Sequence, residues 1–212
     1  MEDYFSSSGP QSRVNANLKY LDKLATIGWL STQPPGFQET ISSLGRWVTL
    51  PAGTRIYSAG DPSDALIGLE QGNIDVLIAI SGEKECTFYR AGPGDWLGDG
   101  GLLFGEARQL SLETVTPVRI FNVPQISLRQ HLARQPADWR YLFHLATNRM
   151  MMAADLVSTL IALPPQARVA RQLMRLHKKD GNVMSKQEDL AKLVGMSRAT
   201  FRRAIEQLVE GV

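Results

Sequence analysis

Between Ser197 and Arg203 the sequence reads SRATFRR, which sets two hydroxyls, Ser197 and Thr200, among three guanidinium groups, Arg198, Arg202 and Arg203. That mixture suits an anionic polymer. An arginine can bond O6 and N7 of one guanine, and a hydroxyl or a helix N-terminus can bond a phosphate oxygen. A second stretch, Gly94 to Gln109 (GDWLGDGGLLFGEARQ), suggests different chemistry. Its glycines let backbone N–H groups converge on a small anion, and Arg108 can close such a cradle. It is not GxGxxG, because position 103 is Leu, and no GK[ST] follows. The same glycines suit a plain barrel corner, and the stretch alone leaves both readings open.

The arginine run needs a helix to hold it. Ser185 and Glu188 have the spacing of a capping box, and Leu190, Leu193 and Val194 give the helix after them a buried face. Gly195 permits a tight left-handed turn, and Ser197 then caps a second helix whose Phe201, Ile205 and Leu208 point inward. Arg198, Thr200, Arg202 and Arg203 are left on its outer face, near its N-terminus. That is helix–turn–helix spacing, with the second helix placed to enter a major groove. Charge agrees. Residues 164–212 hold ten Lys and Arg against five Asp and Glu, whereas residues 1–163 hold thirteen against sixteen, although the whole chain is only +2. Pro164-Pro165 stops one helix and starts the next, QARVARQLMRLHKKDG, with Val169, Leu173 and Leu176 on its apolar face.

The glycine-rich stretch sits among short apolar runs. WVTL, RIY, ALIGLE, IDVLIAI, ECTFYR, LSLETV and VRIFNV alternate with turn residues from Trp47 to Pro124. Turns at that spacing predict an antiparallel sandwich or barrel, not a parallel sheet with crossover helices. Before it, residues 1–17 read as a loose leader and Leu18 to Leu30 as a short helix that Pro34-Pro35-Gly36 interrupts. After it come a helix over Gln125–Arg134 and a long one over Ala137–Leu163, roughly 40 Å at 1.5 Å per residue. Leu142, Leu145, Arg149, Met152, Leu156 and Leu163, widened by Ala146, Ala153 and Leu160, form its stripe. An apolar stripe running to the end of so long a helix predicts a dimer seam, and Met150, Met151 and Met152 suit irregular packing there. The predicted units are a leader at 1–17, a β-rich sensing unit at 18–136, a dimerisation helix at 137–163 and a helix–turn–helix unit at 164–212.

Other classes fall away. One cysteine, Cys86, excludes an intramolecular disulfide and a four-cysteine cluster, and His131, His144 and His177 lack metal-ligand spacing. There is no GxSxG, HExxH, P-loop or kinase set, so no enzyme is expected. No apolar run approaches the roughly 20 residues that span a membrane, and the start MEDYFSSSGPQSR lacks a signal peptide's basic region, which predicts a cytoplasmic protein without a membrane partner.

Together, PAGTRIYSAGDPSDALIGLEQGNIDVLI, GPGDWLGDGGLLFGEARQ and DLAKLVGMSRATFRRAI resemble the Crp–Fnr family of bacterial transcription regulators, over roughly residues 18–212. The resemblance implies an α+β fold. Its parts are an N-terminal double-stranded β-roll of the cyclic-nucleotide-binding jelly-roll type, a dimerising helix and a C-terminal winged helix–turn–helix. It implies a homodimer on a palindromic double-stranded DNA operator, with RNA polymerase as a further candidate partner. DNA contacts then fall to Ser197, Arg198, Thr200, Arg202 and Arg203. By position Arg198 and Arg203 match the family's base-reading arginines, which leaves Arg202 for a phosphate. The effector site falls to Gly98, Asp99, Gly100, Arg108, Gln109 and Arg149. No cofactor is assigned; a small anionic or nucleotide effector is the ligand class, its identity open.

Departures from the family pattern qualify this. Its cyclic-AMP binders carry Glu where Asp99 stands, Arg-Ser where Arg108-Gln109 stand, and a Thr-Ser pair where Ala153-Ala154 stand. A ring amine left without those hydroxyls costs about 1–3 kcal/mol, so cyclic AMP is not expected to bind in the standard way. Ala199 replaces a glutamate and cannot accept from cytosine N4, so base preference should differ. Gly211-Val212 stand where the wing hairpin would begin. A chain without a wing would make the alternative function a ligand-binding or interaction module of this fold with little DNA binding.

Overall fold

In the computed structural model residues 23–80, 84–180 and 187–210 are described; the 1–17 leader, Ser185 and Gly211-Val212 lie outside them. The fold is α+β. Eight strands form two antiparallel four-stranded sheets: β1 (Arg46–Leu50), β2 (Arg55–Tyr57), β3 (Ala65–Gln71), β4 (Ile74–Ile80), β5 (Lys84–Ala91), β6 (Trp96–Leu97), β7 (Ser111–Thr114) and β8 (Val118–Pro124). One sheet has the order β1-β8-β3-β6 and the other β2-β7-β4-β5. Ala65, Ile67 and Leu69 of β3 and Val118 and Ile120 of β8 meet Ile74, Val76, Tyr89 and Leu112 of the second sheet in the roll's interior. Leu66 of β3 and Phe121 and Val123 of β8 join a second core beneath the helices. Because β3 is covered on both sides it reads as an unbroken apolar run rather than an alternating one.

The pattern predicts one helix over Leu18–Leu30. Its described part is instead broken at Ile27, between a helical turn at residues 23–26 and α1 (Gly28–Ser31). Gly28 takes φ +70° and lies against Gly94, where a Cβ would stand 1.9 Å from the Gly94 carbonyl oxygen. Pro34-Pro35 do more than interrupt: Pro35 opens α2 (Pro35–Leu44), whose Phe37 and Ile41 are buried. The glycine-rich stretch holds two elements that glycine content conceals, β6 and α3 (Asp99–Phe104).

Helix α4 (Gln125–Arg134) falls where expected. A single 3-10 turn at Pro136–Asp138 precedes α5 (Trp139–Ala162), so the long helix starts two residues later than predicted. The expected seam stripe is corrected. Leu142 and Leu145 are buried in the chain's own core, and Met152 packs against the roll. The outward row is Phe143, Thr147, Met150, Ala154, Val157 and Ile161, all exposed and alternating four and three residues apart. Two apolar stripes share this helix, and periodicity alone cannot say which one the roll covers.

The chain continues as α6 (Pro165–Asp180), α7 (Gln187–Leu193) and α8 (Arg198–Glu210). Val169 of α6, Leu190, Leu193 and Val194 around α7, and Phe201 and Ala204 of α8 form a third core. Gly195, at φ +64°, turns the chain between α7 and α8. α7 also lies alongside β5. Among the described residues no helix is long and apolar enough to cross a membrane.

Candidate functional site

Gly98, between β6 and α3, has φ +94°, and a Cβ there would lie 2.6 Å from Arg108 Nη1. Glycine therefore makes room for the Arg108 guanidinium. Gly98, Asp99, Gly100, Arg108, Gln109 and Arg149 line one cavity of about 180 Å3, so the structure brings together all six residues that the resemblance singles out. Tyr57, Val76 and Leu112 complete its wall.

Its charges are already engaged. Arg108 Nη2 donates to Asp64 Oδ1 at 2.8 Å and to the Ala65 carbonyl at 2.9 Å, and Nη1 donates to the Gly98 carbonyl at 3.2 Å. The guanidinium also stacks 4.1 Å from the Tyr57 ring centre, with the Arg108 side chain 2% exposed. Arg149 Nε lies 2.9 Å from Asp99 Oδ1, an ion pair that ties α3 to α5. Gln109 Nε2 donates to Glu106 Oε2 at 3.2 Å, and Glu106 also lines the cavity. Asp64 and Tyr57 escaped the sequence reading, and no motif marks either of them.

Burial raises the Tyr57 phenol above its ordinary value of 10.0, against the opposing pull of Arg108 and Arg149. A raised folded-state value means that its contribution to stability is complete below the unfolded value and is lost as pH rises through the folded one. Phenolate absorbance should show the tyrosine missing from Tyr57→Phe to be one that titrates above the ordinary range; an ordinary or lower value would contradict its burial.

A second cavity of about 290 Å3 adjoins the first, sharing Val76, Leu110 and Arg149. Phe88, Met150, Met152, Ala153 and Leu156 make it mainly apolar. Of the Ala153-Ala154 pair, Ala153 lines this cavity, whereas Ala154 is exposed on the outward row of α5. Among the described residues no group of three or more His, Cys, Asp or Glu is placed to hold a metal ion.

At the other end of the chain, Ser197 Oγ accepts from the Thr200 backbone N–H at 3.1 Å and lies 2.9 Å from Thr200 Oγ1, so the cap is formed. Phe201 and Ala204 anchor α8, at 1% and 2% exposure, and Arg198, Arg202 and Arg203 stand exposed on its other side. Arg202 Nε donates to Glu206 Oε1 at 2.9 Å one turn on; Arg198 and Arg203 have no ion-pair partner among the described residues.

Residues 47–135 match the cyclic nucleotide-binding domain family. The CRP-like cAMP-activated global transcriptional regulator of Mycobacterium tuberculosis is 26% identical over 167 residues, covering 74% of this chain and 75% of that protein. The chain carries a cyclic nucleotide-binding domain and is similar to Crp-like transcription regulators. Another Crp-like relative, the CRP-like protein Clp of Xanthomonas campestris, is 23% identical over 172 residues, with the same coverage of both chains. Among solved structures, the c-di-GMP responsive global regulator CLP of Xanthomonas campestris superposes with a TM-score of 0.68 at 21% identity, over 84% of this chain and 93% of that one. FixK2 from Bradyrhizobium japonicum gives 0.69 at 19% identity, over 79% and 85%. In this chain the matched domain starts within β1 and ends just after α4. Five of the six cavity residues therefore lie inside it, and Arg149 reaches in from α5.

Proposed function

We propose that the protein is a homodimeric, cytoplasmic transcription regulator that reads a palindromic DNA operator with two copies of α8 and senses a small molecule between the roll and α5. The exposed face of α8 carries this reading. Phe201 and Ala204 fix the helix on its support, the Ser197 cap sharpens its start, and three arginines project from the free side. Arg198 and Arg203, without an ion-pair partner among the described residues, are assigned to base edges, and Arg202, shared with Glu206, to a phosphate; Ser197 and Thr200 lie at the backbone-contacting end. Dimer symmetry places the half-sites roughly 34 Å apart. The outward row of α5 supplies the dimer seam, because its four-three spacing is that of a coiled coil.

A salt-titrated binding assay on specific and random duplexes tests the DNA reading. Arg198→Ala should cost about 1–3 kcal/mol on the specific site and little on random DNA. Arg202→Ala should weaken both alike and lower the salt slope by about one. Equal losses for Arg198→Ala on both duplexes would refute the base assignment, and a dimer with no salt-dependent affinity would refute DNA binding.

The cavity supports an effector with more apolar surface than a cyclic nucleotide. Arg108 and Arg149 already hold Asp64 and Asp99, and Asp99 and Glu106 line the cavity, so an added phosphate would meet two carboxylates as well as two arginines. Ala153 offers no hydroxyl, and the adjoining cavity is apolar. Calorimetry with cyclic AMP should therefore find no micromolar binding; a micromolar isotherm lost in Arg108→Ala would restore the nucleotide reading.

A further inference from the structure

The junction of α5, α6 and α7 encloses a small cavity of about 40 Å3, separate from the effector site. Its polar lining comprises Arg168, Arg171, Gln172, Thr159 and Asp155, with more donors than acceptors. Gln172 is 8% exposed, and its Nε2 has no hydrogen-bond partner among the described residues. Arg168 Nε, also buried, has none either, while Arg168 Nη1 reaches only the Val194 carbonyl at 3.4 Å. Arg171 pairs with Asp155, and Thr159 Oγ1 donates to the Asp155 backbone carbonyl at 2.8 Å. Among the lining side chains two guanidinium groups face one carboxylate, leaving one positive charge over.

Buried donors without acceptors are costly, and two opening onto one cavity call for the same missing partner. The space is enough for about one to three water-sized particles. A water could use the donors and the Gln172 and Thr159 oxygens, but it would leave the extra positive charge unbalanced. An occupant that only accepts, and that carries the balancing charge, fits both requirements. We infer that this junction binds a single small monovalent anion of the halide class, held by Arg168 and Gln172. Nucleotides are too large for it. Bound there, the anion links the end of α5 to α6 and to Val194 at the end of α7, and so stiffens the joint that carries α8.

The test uses the full chain without DNA or effector, so it stands apart from the proposed function. Thermal unfolding is followed while chloride replaces gluconate at constant sodium and ionic strength. The melting temperature should rise by a few degrees and saturate, as for a ligand bound only by the folded state. Bromide should substitute for chloride, and sulfate should not. Gln172→Leu keeps the side-chain bulk and removes the donor, so at least tenfold more chloride should be needed for the same effect. Equal melting in all the salts, an equal effect of sulfate, or a chloride response unchanged in Gln172→Leu would each overturn the site. If that variant does not fold, line broadening in the chloride NMR of the parent, displaced by added bromide, decides: broadening that bromide reverses supports the site, and its absence refutes it.

Discussion

Val157→Lys should convert the dimer to a monomer. Val157 is 54% exposed on one chain and stands midway along the Met150–Ile161 part of the outward row, so in a paired helix it meets its own copy. An unpaired charge buried there costs about 3–5 kcal/mol, and symmetry buries two, enough to raise the dissociation constant at least a hundredfold. Sedimentation at micromolar protein should find one protomer per particle. Affinity for a two-half-site operator should collapse with it, because each α8 then binds alone. Asn148→Lys, exposed but off the row, should leave the dimer intact. A Val157→Lys chain that still sediments as a dimer would place the seam on another face.

Gly28→Ala should be among the most destabilising single changes in the chain. The new methyl would point at the Gly94 carbonyl, 1.9 Å away, at a φ that disfavours any Cβ. Gly94 cannot retreat, because its N–H donates to the Leu69 carbonyl at 2.8 Å and the next residue's carbonyl accepts from Leu69 N–H at 2.8 Å. Strain and overpacking together cost about 2–4 kcal/mol, which lowers the melting temperature by roughly 5–15 °C in a domain of this size. Gly53→Ala separates the two causes. Its φ is +75°, but nothing lies within 4 Å of the added methyl, so only the conformational part, about 1 kcal/mol, should appear. Equal losses for the two variants would show that the Gly28–Gly94 contact is not what matters.

The strands were legible because apolar runs bounded by Gly, Pro and Asp leave little else to form, and seven of the eight lie where the pattern puts them. β6 and α3 were not, since Trp96-Leu97 and Asp99–Phe104 sit among glycines that suggest a bare loop. α2 was hidden because Pro35 reads equally as a stop and as a first helical residue. On α5 the period of 3.6 revealed apolar faces but not their allocation. The cavity shows the same limit. Arg108 was visible as a cation, yet its state depends on Asp64, 44 residues away, and on carbonyls that only the folded backbone brings round. The outer face of α8 was readable in full, because cap, anchors and arginines all lie within one local stretch.

α5 is a rod pinned well before its tip. The pin is the Arg149–Asp99 pair, and the thirteen residues after Arg149, up to Ala162, make an arm of about 20 Å. A tilt of about 5° about that pin, small enough to leave the ion pair made, sweeps the tip through about 2 Å. α6 begins there, and the arginine helix hangs from it. Two ångströms is the difference between a guanidinium at bonding distance from a base edge and one that has lost it. The length of the helix thus acts as gearing, trading force at the cavity for travel at the end proposed to read DNA.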